Sequence, residues 1–233
     1  MENAYGLEIP QNLVEACGPK RTALLVYDMQ VGIIGQIKNG PEIVTRVKIV
    51  LDAAREAGLR VFFMRHMSLP KEAAGVFQLR MAMAWQKVKT VAELNPWFLR
   101  DSPGFQLVPE LRPLSTEVIF DKITMSAFEG TPLNIALRDC GINSFIIVGV
   151  ATEIGIEPTV RHGADLGHIP IVVTDACGAG HAEAAERTLA SIEFMGDAIL
   201  TDVRTIQSVL GRTTADRPPN NAGTIESRRD CAH

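Results

Sequence analysis

Short apolar runs alternate with amphipathic stretches along most of this chain. The run from Arg21 to Asp28, entered from Gly18-Pro19, predicts a buried strand. The stretch from Pro41 to Ala57 predicts a helix. There Ile43, Val44, Val47, Val50, Leu51 and Ala54 recur at helical spacing, Pro41 suits the first turn and Gly58 ends it. Further strands are expected at Leu59 to Met64, Glu117 to Asp121, Ser144 to Val150 (the most apolar), Ile169 to Thr174 and Ala198 to Thr201. Helices are expected at Pro132 to Asp139, from about Glu157 to Leu166, at Ala182 to Phe194 and at Val203 to Leu210.

Strands that are apolar on both faces and alternate with helices point to a parallel sheet covered on both sides. The expected fold is a three-layer α/β/α sandwich with a mostly parallel sheet of about six strands. In such sheets ligands bind beyond the carboxyl ends of the strands. Asp28, Lys122 and the segment from Ala151 to Gly155 all follow strand ends, so they converge on one sheet edge although Asp28 and Lys122 lie far apart in sequence.

Two regions interrupt the alternation. Residues 66–116 hold one helical piece around Leu79 to Val88, then a proline-punctuated segment with Trp97, Phe98 and Phe105. An insertion of this size between strands is expected to be a lid or a subunit contact. Residues 212–233 carry few apolar anchors and read as a disordered or draped tail. The chain is thus divided into an extension at 1–20, one domain at 21–211 and the tail.

Composition narrows the function. A chain of 233 residues with 46% hydrophobic content fits one globular domain. A net charge of −4 argues against nucleic acid as the main partner. No apolar run reaches the roughly 18–20 residues that cross a bilayer, and the N-terminus lacks a secretory pattern. The expectation is a cytoplasmic protein that acts on a small molecule, without membrane partners. Cys17, Cys140, Cys177 and Cys231 form no C-x-x-C pair, and the five histidines are scattered, so neither a disulfide framework nor a metal site is expected.

The segment Gly149-Val150-Ala151-Thr152-Glu153-Ile154-Gly155-Ile156-Glu157, with Asp28 after Leu24-Leu25-Val26-Tyr27 and Lys122 before Ser126-Ala127-Phe128, resembles the isochorismatase-like (cysteine hydrolase) family. Most members read G-V-A-T-x-x-C-V-E, so Gly155 stands where the resemblance puts a nucleophilic cysteine. The resemblance covers about Arg21 to Leu210. It implies the three-layer fold, Asp28 as acid/base, Lys122 as its electrostatic partner and a cis peptide before Ala151. It also implies an oxyanion hole from the amides of Ala151 and Gly155, no cofactor, and a homo-oligomer (dimer or tetramer).

Without a thiol, amide cleavage loses its usual attacking atom. Isochorismatases themselves carry glycine at this position and cleave a vinyl ether by protonation from the aspartate, so the resemblance favours vinyl-ether hydrolysis of a small carboxylated molecule. One alternative is C–N hydrolysis of an amide or ureide, with water activated by Asp28 or with Cys177 as nucleophile. Another is a pocket that binds or regulates without turnover. Glu153 is a candidate second acid/base group, because two carboxylates in unlike environments can divide those roles. Arg65, His66 and Trp85 are candidates for substrate binding, with Arg80 nearby in the insertion and Phe128 expected to wall the site.

Overall fold

A computed structural model of the chain describes residues 1–215. The main sheet has six strands: β3 (Thr22–Tyr27), β4 (Arg60–His66), β5 (Val118–Lys122), β6 (Ser144–Val150), β7 (Ile169–Gly178) and β8 (Ile199–Thr201). Their order is β5-β4-β3-β6-β7-β8, and every pairing is parallel. All residues of β3 and β6 are buried, as central strands covered on both faces require, whereas Val118 and Ile119 on edge strand β5 stay partly exposed. Alternate residues feed two cores. Leu24, Val26, Phe63, Ile146 and Val148 face one, while Leu25, Tyr27, Met64, Phe145 and Ile147 face the other.

Helices cover both faces. The longest, α3 (Gly40–Ala57), buries the predicted stripe Ile43, Val44, Val47, Val50, Leu51 and Ala54 in the first core, beside α8 (Val203–Ala215). Its chain reverses at Gly58 with φ +75, a left-handed cap suited to glycine. Each valine, leucine or isoleucine of this stripe contributes about 1.5–3 kcal/mol when fully buried. The second core is closed by residues of α5 (Leu133–Asp139), α6 (Glu157–Asp165) and α7 (Ala182–Met195), among them Leu133, Leu137, Val160 and Ile192. Strand β7 runs through Gly178, four residues beyond the expected end.

Two strands and two short helices near the N-terminus were not anticipated. A hairpin of β1 (Glu2–Ala4) and β2 (Leu7–Ile9) precedes a short helix, α1 (Leu13–Ala16), so regular structure begins ahead of the main sheet. A four-residue helix, α2 (Val31–Ile34), follows Asp28. In the insertion, α4 spans Val76–Gln86, with no fully buried residue. The segment after α4 returns beside the Asp28 turn: Val31 N donates to Gln106 O at 2.8 Å and Val108 N to Met29 O at 3.0 Å. At the other end, α8 continues to Ala215, so the start of the expected tail is helical and the rest of that expectation lies outside the described residues. No helix among the described residues is long and apolar enough to cross a membrane.

After β3 the chain builds outward through β4 to β5, then returns to place β6, β7 and β8 on the other side. The topological switch therefore falls between β3 and β6, and a ligand crevice is expected at their carboxyl ends.

Candidate active site

A cavity of about 480 Å³ lies at that switch point, within the size range of small-molecule sites. Asp28, at the end of β3, reaches it through a left-handed backbone (φ +49), a conformation aspartate tolerates better than most residues. Asp28 is 6% exposed. Its Oδ2 accepts from Lys122 Nζ at 2.8 Å, and Oδ1 is buried without a hydrogen-bond partner. Lys122 stands two strands away on β5, a separation of roughly 10 Å that its long side chain bridges across β4. Its ammonium also donates to Thr124 O at 3.2 Å and lies 4.3 Å from the centre of the Tyr27 ring.

Burial dominates the protonation of this pair. It raises the Asp28 carboxyl from 3.8 to about 6 even though the Lys122 charge and hydrogen bond pull it down. Burial likewise lowers the Lys122 ammonium from its ordinary value, against the Asp28 charge. His66, beside Lys122 in the strand register, is pushed down to about 3, first by burial and then by the Lys122 charge, so its imidazole is neutral.

Strand β6 ends in a cis peptide between Val150 and Ala151, as the resemblance implied. A π-helical turn follows at Thr152–Ile156, in which the Ala151 carbonyl accepts from the amides of Ile154, Gly155 and Ile156 at 3.0–3.2 Å. The Gly155 amide expected in the oxyanion hole is thus already engaged, because the wide turn folds it back on Ala151 O. Ala151 and Gly155 both line the cavity.

Gly155 is packed against Tyr27. A Cβ built on Gly155 would lie within 2.5 Å of Cε1 and Cζ of the Tyr27 ring and closer still to its hydroxyl. The phenol is 1% exposed, donates to the Met125 carbonyl and is raised well above its ordinary pKa by burial, so it is a neutral donor. Gly149 permits the same approach. At φ +127, its own Cβ would strike the Tyr27 backbone, 2.9 Å from the carbonyl carbon. Tyr27 therefore fills the volume into which a side chain at position 155 would project. Tyr27 was read only as part of an apolar strand; its one hint was a phenol in an otherwise aliphatic run.

The other candidates divide sharply. Glu153 lines the cavity, with Oε1 accepting from His181 N at 2.6 Å and Oε2 buried without a partner. His66 and Trp85 also line it, joined by Trp97 and Phe98 of the insertion. Arg65 does not. In the β4–β5 register it pairs with Asp121 while His66 pairs with Lys122, and strand alternation sends the two pairs to opposite faces. Arg65 Nε meets Asp121 Oδ1 at 2.8 Å and the guanidinium lies over the Phe105 ring. Arg80 is exposed and outside the cavity. Phe128 is not a wall of the site; it packs in the second core against Phe145 and His168. Cys177 is also in that core, with its thiol 3.7 Å from Ile147 O and its pKa pushed up to about 12 by burial. A buried, protonated thiol outside the cavity is no nucleophile. Among the described residues no group of three histidine, cysteine or acidic side chains could hold a metal ion.

The isochorismatase domain model matches residues 22–205, which span the whole sheet and both ends of the site. The chain belongs to the isochorismatase family. Its family relatives include the ureidoacrylate amidohydrolase RutB of Serratia proteamaculans, 30% identical over 202 residues that cover 78% of this chain and 80% of the relative. RutB of Acinetobacter baylyi is 28% identical over 174 residues, covering 68% and 71%. Among solved structures, a cysteine hydrolase from Pseudomonas syringae pv. phaseolicola is 25% identical with a TM-score of 0.73, covering 85% of this chain and 96% of that one. The N-carbamoylsarcosine amidase of Thermoplasma acidophilum, 21% identical with a TM-score of 0.65 over 78% of this chain and 96% of that one, shares the fold. The six-stranded α/β architecture is that of the isochorismatase family, and the protein is a hydrolase of this family.

Proposed function

We propose that this isochorismatase-family hydrolase cleaves a C–N bond in a small amide or ureide by direct attack of water, with Asp28 as general base. The observation that carries this reading is Asp28 itself. One carboxylate oxygen is held by Lys122, the other is buried without a hydrogen-bond partner, and the residue lines the cavity in which a water would be bound. The amidohydrolase names of its relatives support the C–N class. Water replaces the thiol because Tyr27 fills the nucleophile's volume and Cys177 is sealed in the core. In the reaction Asp28 Oδ1 takes a proton as the water oxygen bonds to the carbonyl carbon. The C–N bond then breaks as that proton passes to the departing nitrogen. With the Gly155 amide engaged, the Ala151 amide is the remaining backbone candidate for the developing oxyanion.

A second reading, vinyl-ether cleavage, is favoured by one observation. A carboxyl raised to about 6 keeps a protonated fraction near neutrality and can serve as general acid. Turnover of a panel of small amides and ureides, followed by ammonia release, separates the two when isochorismate is assayed in parallel. The C–N reading expects ammonia release that falls at least about a hundredfold in Asp28→Asn, within the usual contribution of a positioned acid or base. Cleavage of isochorismate alone would replace it with the vinyl-ether reading. Inactivity on the whole panel would overturn both.

A further inference from the structure

Asp28 and Glu153 both line the cavity, and each keeps one buried carboxylate oxygen without a partner, Asp28 Oδ1 and Glu153 Oε2. Asp28 is neutralised by Lys122, whereas the hydrogen bond to Glu153 comes from a backbone amide, that of His181. Among the described residues no lysine or arginine lines the cavity: Lys122 is bound to Asp28, and Arg65 is turned away onto Asp121. His66, the basic side chain nearest the pair, is held neutral. The rest of the wall includes the aromatic rings of Trp85, Trp97 and Phe98.

A substrate carboxylate entering this cavity would meet the uncompensated Glu153 carboxylate and find no lysine or arginine to pair with, the other titratable side chains of the wall being Tyr27, His66 and His181 beside the Lys122-bound Asp28. Leaving a charge unpaired as it is desolvated opposes binding strongly. Two orphaned acceptors instead suit N–H donors, and aromatic faces suit an apolar body or a cation. We infer that the cavity selects a non-anionic amide, with its N–H groups directed to the Asp28 and Glu153 carboxylates and an apolar or cationic body against Trp85, Trp97 and Phe98. The inference rests on the proposed C–N reading only for the scissile amide. It departs from the carboxylated substrate expected from the sequence and places Glu153 as the specificity-determining residue.

Three matched amides test it: hexanamide, 6-aminohexanamide and adipic acid monoamide, whose shared four-methylene chain ends in a methyl, a protonated aminomethyl or a carboxylate group. Calorimetric affinity and ammonia release are measured for each on the wild-type chain and on Glu153→Gln, which keeps an acceptor for the His181 amide. The expected result is at least tenfold tighter binding of the first two than of the monoacid, with the gap between ammonium and carboxylate probes narrowing at least fivefold in Glu153→Gln. Equal or tighter binding of the monoacid overturns the inference, as does a preference that Glu153→Gln leaves unchanged, or failure of all three to bind at millimolar concentration. Affinity and turnover separate this claim from the reaction. Preferential binding of the neutral probes without ammonia release supports the selectivity and counts against the C–N chemistry. Hydrolysis with preference for the monoacid does the reverse.

Discussion

Tyr27 and Gly155 occupy one shared volume: the phenol ring stands where a side chain at position 155 would begin, with ring carbons 2.5 Å from the Cβ site. The absence of a side chain at position 155 and the presence of a large aromatic on the neighbouring strand are therefore one structural fact. Either residue alone is unremarkable in the sequence. Together they describe a site in which the space beside position 155 is filled by Tyr27.

That pairing predicts that Gly155→Cys does not restore a working thiol. Overpacking a rigid, buried contact costs about 1–3 kcal/mol, so the single variant should melt at lower temperature than wild type. Adding Tyr27→Val removes the ring, and the double variant should be labelled by iodoacetamide at position 155, as peptide mass spectrometry would locate. Rapid labelling in the single variant, with no loss of stability, would show that Tyr27 does not fill the pocket.

Which parts of this were legible in the sequence follows from the range of the interactions. Helix α3 could be read from its apolar stripe and its Pro41 and Gly58 boundaries, because those signals are local. Asp28 and Lys122 could be placed on one edge because both end parallel strands. The β1–β2 hairpin could not, since its three-residue strands bury no apolar face to leave a pattern. Arg65 and His66 were both candidates: strand parity gives His66 the cavity and Arg65 the opposite face, and sequence alone does not fix which parity faces the site. The Tyr27–Gly155 contact joins positions brought together only by β3–β6 pairing and the turn that follows, so spacing carried no trace of it.

Cys177 should be dispensable for turnover. Its thiol is buried among Tyr27, Ile147 and Val172 in the second core and points at the Ile147 carbonyl. Cys177→Ala should retain activity within about twofold while losing up to about 2 kcal/mol of stability, the scale of a small cavity. An inactive but folded Cys177→Ala would reinstate the thiol mechanism.

Activity should depend on the ionisation of Asp28. With a carboxyl raised to about 6, the general-base form accumulates as pH rises through that value, so kcat/KM for the amide should climb between about pH 5 and 7. The general-acid reading predicts the opposite limb, with activity falling as pH rises through the same range. A pH–rate profile on one good substrate decides between them.

The stability of the buried pair gives the same group a second signature. Asp28 binds its proton more tightly in the folded chain than at its ordinary value of 3.8, so its favourable contribution is fully present below 3.8 and is lost as pH rises through about 6. Lys122→Met removes the charge that opposes this shift and should drive the Asp28 carboxyl further up. Two consequences follow from that one change. The base limb of kcat/KM should move to higher pH, with turnover at pH 7 reduced at least tenfold. The variant's deficit in unfolding free energy should also be greater at pH 8, where an ionised Asp28 is buried without its partner, than at pH 5, where it can take up a proton. Breaking a buried ion pair costs about 3–5 kcal/mol when the remaining charge cannot be neutralised, which sets the alkaline end of that difference. Denaturant melts at the two pH values, with the pH–rate profile, check both; an unmoved limb would mean that Lys122 does not set the protonation of Asp28.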